Sequence, residues 1–180
     1  MDEIVRQAMA KWPSVPHCHG WLGLDARGNW YLRDAGVQAR GPFAAGTPAC
    51  RGSLIEHAGL IAFIGRNYGC DAEGQWYFQN GPQRVFVELE ITPWIWRIDE
   101  AGCVTAHTAA PARVRRCLLD EMGRLYLDTD IGFGLVHSLD VPHAAEVVES
   151  GRWVPEPVSA GTLAQRFAYC ISPQARHARA

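Results

Sequence analysis

The stretch Leu22-Gly23-Leu24-Asp25-Ala26-Arg27-Gly28-Asn29-Trp30-Tyr31-Leu32 decides the fold class. Apolar residues lead into an Asp, two variable residues, a Gly and one more residue, and aromatic side chains with strand propensity follow. Asp at the first turn position hydrogen-bonds the backbone two residues on, and Gly at the fourth supplies a positive φ. Together they give a type I turn with a bulge, a common short hairpin connection. The pattern recurs at Tyr68-Gly69-Cys70-Asp71-Ala72-Glu73-Gly74-Gln75-Trp76-Tyr77-Phe78, with further copies centred on Asp99–Gly102 and Asp120–Gly123. One copy would be weak evidence, whereas four copies form an architectural signal, and their uneven spacing argues against a propeller or a fixed-period solenoid. The expectation is an α+β, β-rich chain of repeated antiparallel hairpin motifs, in two packed subdomains with a few short helices.

Working outward, Ile4, Val5, Ala8 and Met9 fall at helical spacing, which predicts an amphipathic helix over Asp2 to Lys11 stopped by Trp12-Pro13. Ser53-Leu54-Ile55-Glu56 reads as a capping box opening a helix that runs to about Asn67. Between Arg84 and Ile91 the residues alternate, with Val85, Val87, Leu89 and Ile91 on one face and Phe86, Glu88 and Glu90 on the other. Asp140 is expected to cap a short helix with Pro142 in its first turn, and a last helix is expected from about Thr162 to Tyr169. The expected division is residues 1–92, residues 93–172 and a disordered tail over 173–180.

The 180 residues are 48% hydrophobic, enough to bury a sizeable core without disulfides or metals. A net charge of -2 gives no electrostatic warrant for nucleic-acid binding, which needs a clustered basic surface. Lys11 is the only lysine, which fits codon bias in a GC-rich genome better than selection for anion binding. The first residues are charged and lack the apolar core of a signal peptide, and no apolar run approaches the ~20 residues that span a bilayer. The six cysteines form no Cys-x-x-Cys pair and read as reduced thiols. These readings lead to an expected cytoplasmic location without membrane or nucleic-acid partners.

Candidate chemistry is sparse. His17-Cys18-His19 supplies metal-ligand atoms, but structural zinc wants four ligands and no second cluster accompanies these residues, so no metal is expected. An arrangement of His17 and His19 on opposite sides of the segment is also expected. Asp128-Thr129-Asp130 could serve acid/base chemistry or a cation, yet a hairpin in which Asp128 faces Arg115 or Arg116 explains it more simply. Glu88 and Glu90 read as a solvated sheet face, and Gly132-Phe133-Gly134 lacks the third glycine of a dinucleotide site. No Gly-x-Ser-x-Gly elbow is present, and no cofactor is implied.

The order of motifs resembles a known family. The Asp25 hairpin, Arg51-Gly52-Ser53-Leu54-Ile55 and the Asp71 hairpin, followed by the Arg84–Glu90 strand, Pro93-Trp94 and Leu125-Tyr126-Leu127-Asp128-Thr129-Asp130-Ile131-Gly132, look like the bacterial domain of unknown function 1285, or a sister family. The likeness covers roughly Gly20 to His143, in layout more than in identity. It implies repeated β-motifs in two subdomains and a role in signalling or ligand sensing, and it brings no catalytic residues. The resulting expectation is a regulatory module that binds a small molecule or protein. Its candidate ligand residues are Trp96, Asp128, Asp130 and His137, near the junction of the two halves. The alternative is an enzyme with its site around Asp128, Asp130 and His137.

Overall fold

The computed structural model describes residues 1–12 and 14–179, so Pro13 of the expected helix stop and Ala180 of the expected tail lie outside the described residues. The chain divides into one unit of Met1–Asp25, Asn29–Ile91 and Tyr169–Ala180 and a second of Ala26–Gly28 and Thr92–Ala168.

In the first unit, helix α1 (Glu3–Lys11) carries Glu3 in its first turn and Lys11 in its last, both favoured by the helix dipole, and it buries Val5. Then come β1 (Cys18–Leu24), β2 (Trp30–Leu32), α2 (Ala35–Ala39), α3 (Pro48–Arg51), β3 (Ser53–Leu54), α4 (Ala58–Arg66), β4 (Tyr68–Cys70), β5 (Trp76–Asn80) and β6 (Gln83–Leu89). The sheet runs β3-β2-β1-β6-β5-β4, with β1 parallel to β6 and every other neighbour antiparallel. Leu24, Val87 and Leu89 are fully buried in it.

The second unit contains β7 (Trp94–Ile98), β8 (Val104–Ala106), β9 (Pro111–Ala112), β10 (Val114–Asp120), β11 (Leu125–Thr129), β12 (Gly132–Val136), α5 (Val141–Glu149), β13 (Pro155–Val158) and α6 (Leu163–Arg166). Helix α7 (Pro173–His177) follows and belongs to the first unit. The second sheet runs β9-β8-β7-β12-β11-β10-β13. Without β13 this repeats the first sheet strand for strand, including the parallel contact between the first and last strands, here β7 and β12. The Asp-x-x-Gly turns fall at equivalent places, β1–β2 with β7–β8 and β4–β5 with β10–β11.

All four turn glycines have positive φ: Gly28 at 80°, Gly74 at 76°, Gly102 at 74° and Gly123 at 76°. The Asp carboxylate does more than close the turn. Asp120 Oδ1 accepts from the Met122 and Arg124 backbone N–H at 2.9 and 2.8 Å, while Oδ2 accepts from Arg124 Nε at 3.0 Å and the Tyr126 hydroxyl at 2.9 Å. Asp25 has a matching hydroxyl donor in Tyr31 at 3.2 Å, also six residues on.

Several local expectations are corrected. Ser53 and Leu54 open no helix; they pair with Leu32 and Tyr31 as an edge strand, and Ile55 N–H donates to the Trp30 carbonyl. The β2 edge offers ladder partners that outweigh a local capping box. Gly52 makes the entry possible, because at φ 90° a Cβ there would collide with the Leu32 carbonyl. Helix α4 therefore starts at Ala58, with His57 Nδ1 accepting from Leu60 N–H at 3.1 Å. Asp140 stands before α5 but makes no cap bond, because its carboxylate is taken by Arg97 and the Ile98 N–H. The last expected helix is only Leu163–Arg166, and Pro173–His177, expected as disordered tail, is helical with Pro173 buried.

Candidate functional site

Strand β6 organises the most suggestive cluster of the first unit. Its alternation sets Arg84, Phe86 and Glu88 on one face. That face is covered, so Glu88 is 2% exposed and the solvated position expected for it is overturned. Glu88 accepts from the Ser172 hydroxyl at 2.5 Å and from Gln174 N–H at 2.9 Å, which fastens the start of α7 to the sheet. Burial pushes the Glu88 carboxyl up, against the Ser172 hydroxyl, the Gln174 N–H and the nearby Arg33 charge. Arg33, fully buried, donates to the carbonyls of Cys50, Gly20 and Gly41 and so ties the 34–51 segment to the same unit.

One step along the strand, Phe86 is the base of a stack. The His19 ring lies 4.6 Å from it at 10°, the His177 ring lies 4.3 Å from His19 at 2°, and His17 meets Phe86 edge-on at 5.7 Å. The expectation that His17 and His19 diverge therefore fails. Residues two apart share one face of an extended segment, so alternation itself brings both rings to the Phe86 side. Burial first, then the charges of His177 and His17, hold the His19 imidazole below its ordinary value.

Arg84, one step further along β6, has its guanidinium carbon 4.6 Å from the Tyr77 ring centroid and no carboxylate partner among the described residues. The Asp71–Gly74 turn contributes to the same lining. Asp71 is committed to the backbone of Glu73 and Gln75 and to the Gln75 amide, and Glu73 pairs with Arg176 of α7 at 2.7 Å. These residues enclose a concavity of about 530 Å³ lined by His17, His19, Arg84, Phe86, Arg176 and His177, with Asp71, Glu73, Gln75 and Pro16. Within the described residues none of the three imidazoles makes a hydrogen bond. Among the described residues no group of three or more His, Cys, Asp or Glu side chains is placed to hold a metal ion.

The four residues singled out in the sequence all lie in the second unit. Trp96 is fully buried and donates its indole N–H to the Leu127 carbonyl at 3.0 Å. Asp128 pairs with Arg116, directly opposite it in the β10–β11 ladder, at 2.7 Å. Asp130 Oδ1 accepts from Arg113 N–H at 2.8 Å. His137 is 6% exposed; its backbone N–H donates to the Trp96 carbonyl, and Nδ1 accepts from Leu139 N–H at 3.1 Å. The structure thus joins Trp96 to His137 through the β7–β12 ladder, while Asp128 and Asp130 follow the β10–β11 hairpin.

Sequence reasoning noticed His17 and His19 but weighed them as metal ligands. It missed Arg84, Phe86 and His177. Arg84 and Phe86 share the period-two alternation with Glu88, which was a usable signal. His177 lies 158 residues from His19 and carries none.

The chain belongs to the family DUF2944, described as "Protein of unknown function (DUF2946)", whose model matches residues 1–174. Two solved structures match the chain. One is a DUF1285 family protein from Silicibacter pomeroyi DSS-3, with TM-score 0.49 and 11% identity over 82% of this chain and 85% of that chain. The other is a DUF1285 family protein from Shewanella baltica OS155, with TM-score 0.42 and 12% identity over 70% of this chain and 91% of that chain. No curated protein matches the chain. The likeness drawn from the turn motifs, to the domain of unknown function 1285 or a sister family, accords with these matches. No helix among the described residues is long and apolar enough to cross a membrane.

Proposed function

We propose that this protein is a small-molecule-binding module with a regulatory rather than a catalytic role, and that its ligand occupies the concavity of the first unit. One observation carries this reading. Arg84, without a carboxylate partner, and three imidazoles without hydrogen bonds line a single recess of about 530 Å³, a size that suits a small ligand. His19 and Arg84 are half-buried in the recess, while His17 and His177 stand at its exposed side. Here Asp71 is held by its own turn and Glu73 by Arg176, and Arg84 and the three imidazoles are left to the recess. The stretch with Asp128, Asp130 and His137 is the alternative location, for a ligand or for catalysis, and the contacts made there weigh toward a framework role. All six cysteines are free thiols, which fits a reducing compartment such as the cytoplasm.

The test is a thermal-shift screen against metabolites and nucleotides, since a ligand that binds only the native state raises its stability. Compounds that raise the Tm of the native protein are expected to lose that effect in Arg84→Gln and His177→Asn. A hit retained in full by both variants would move the site elsewhere.

A further inference from the structure

The recess is balanced in a particular way. From the β4–β5 turn it receives Asp71 and Glu73, from β6 Arg84, from α7 Arg176 and His177, and from β1 and the residue before it His19 and His17. Two carboxylates offset two guanidiniums, so the histidines decide the net charge. Glu88, further along β6, is engaged by Ser172 and Gln174. Each imidazole that gains a proton therefore adds one positive charge with no acidic side chain left to receive it.

Such a proton is opposed in the empty recess. With ring centroids 4.3 Å apart, two imidazoliums at the half-buried His19 and the exposed His177 would repel. His17 adds to the same field. An anion seated between these rings and Arg84 reverses the balance, because charge-assisted hydrogen bonds from imidazolium and guanidinium to an oxyanion are the stronger kind.

Resting on the pocket reading above, we infer that the ligand is a small molecule bearing an oxyanion, phosphate or carboxylate, and that it binds together with protons on the histidines. Proton uptake follows by linkage. A bound anion favours the protonated form of the His19 imidazole, which the empty recess disfavours, so affinity climbs as pH falls from 8 through the histidine range. It levels off once the free protein is itself protonated.

The experiment titrates the protein with inorganic phosphate, benzoate and the neutral isostere benzamide at pH 8.0 and 5.5, following imidazole ¹H–¹⁵N resonances. The expected result is displacement of the His17, His19 and His177 signals by phosphate, by benzoate or by both. Affinity for benzoate, which stays ionised at both pH values, should be about tenfold higher at pH 5.5, the gain from one imidazole whose pKa rises by about one unit. The phosphate and benzoate arms tell the two oxyanions apart. Arg84→Gln, at a half-exposed position, should weaken binding while its resonances report an intact fold. Benzamide binding as tightly as benzoate, with no pH dependence, would overturn the oxyanion assignment and leave the pocket standing. No imidazole response to phosphate or benzoate at pH 5.5 would overturn it too, with the pocket itself then judged by the metabolite screen.

Discussion

The two units share one strand order yet treat their charges differently. In the second unit the acids that drew attention have fixed partners: Asp128 with Arg116, Asp140 with Arg97, and Asp120 with Arg124 and Tyr126. In the first, along one face of β6, Glu88 is spent on anchoring α7 while Arg84 and three imidazoles have no acid to meet. One strand order thus carries one closed polar network and one open one.

The largest effect should come from the closed side. Trp96→Ala removes a fully buried indole and strands the Leu127 carbonyl, and it is expected to cost about 3–5 kcal/mol in urea unfolding. Binding in the first unit by whatever protein stays folded should be unchanged. A cost below about 1 kcal/mol would show that Trp96 is not the packing element described.

Next are the turns. Asp120→Ala strips a buried carboxylate from the Met122 and Arg124 N–H groups and the Tyr126 hydroxyl, and should cost about 2–4 kcal/mol. Asp99→Ala, whose bonds to Ala101 and Cys103 N–H are exposed, should cost about 1 kcal/mol. Equal losses would mean that all Asp-x-x-Gly turns are merely local. Gly123→Ala should cost about 1 kcal/mol from backbone strain alone, since φ is 76° and no atom lies within 4 Å of the added Cβ. Thermal unfolding of the variant checks this.

The smallest effect separates the units by pH. His19 has its folded pKa below the unfolded value of about 6.5, so below that pH the unfolded chain binds more protons and stability falls as pH drops. Burial works against the charged forms of Asp120 and Asp140. Their hydrogen bonds and the Arg124 and Arg97 charges nevertheless hold both below 3.8. The stability they contribute is present above that value and is lost as pH falls through the lowered ones. Glu88, raised, acts in the opposite sense to His19, so the comparison must be with a variant. Between pH 7 and 5, His19→Asn should lessen the acid-side loss measured by amide exchange in the first sheet and leave the second sheet unaffected. An unchanged slope in the first sheet would remove His19 from the account.

What the sequence disclosed follows how locally each feature is determined. The Asp25, Asp71, Asp99 and Asp120 turns were legible because five residues contain the whole device. Helix α1 was legible from periodicity. Ser53 misled because its capping box competes with the edge of β2, a partner more than twenty residues away. Glu88 misled because alternation gives two faces but does not say that both are covered. The Asp128–Arg116 pair was anticipated with two arginines left open, and ladder register chose between them. The stack of His177 on His19 joins the two ends of the chain, and no spacing rule reaches across that distance.

The central claim is that the open network of the first unit, and not the acidic stretch of the second, receives the ligand. Calorimetry with one screened ligand on Arg84→Gln and on the Asp130→Ala, His137→Ala double variant tests it most directly. The account predicts that Arg84→Gln loses binding at nearly native stability, whereas the double variant binds normally but melts earlier, because His137 is buried and bonded to Leu139 N–H. Binding abolished in the double variant at unchanged melting temperature, and retained in Arg84→Gln, would contradict it.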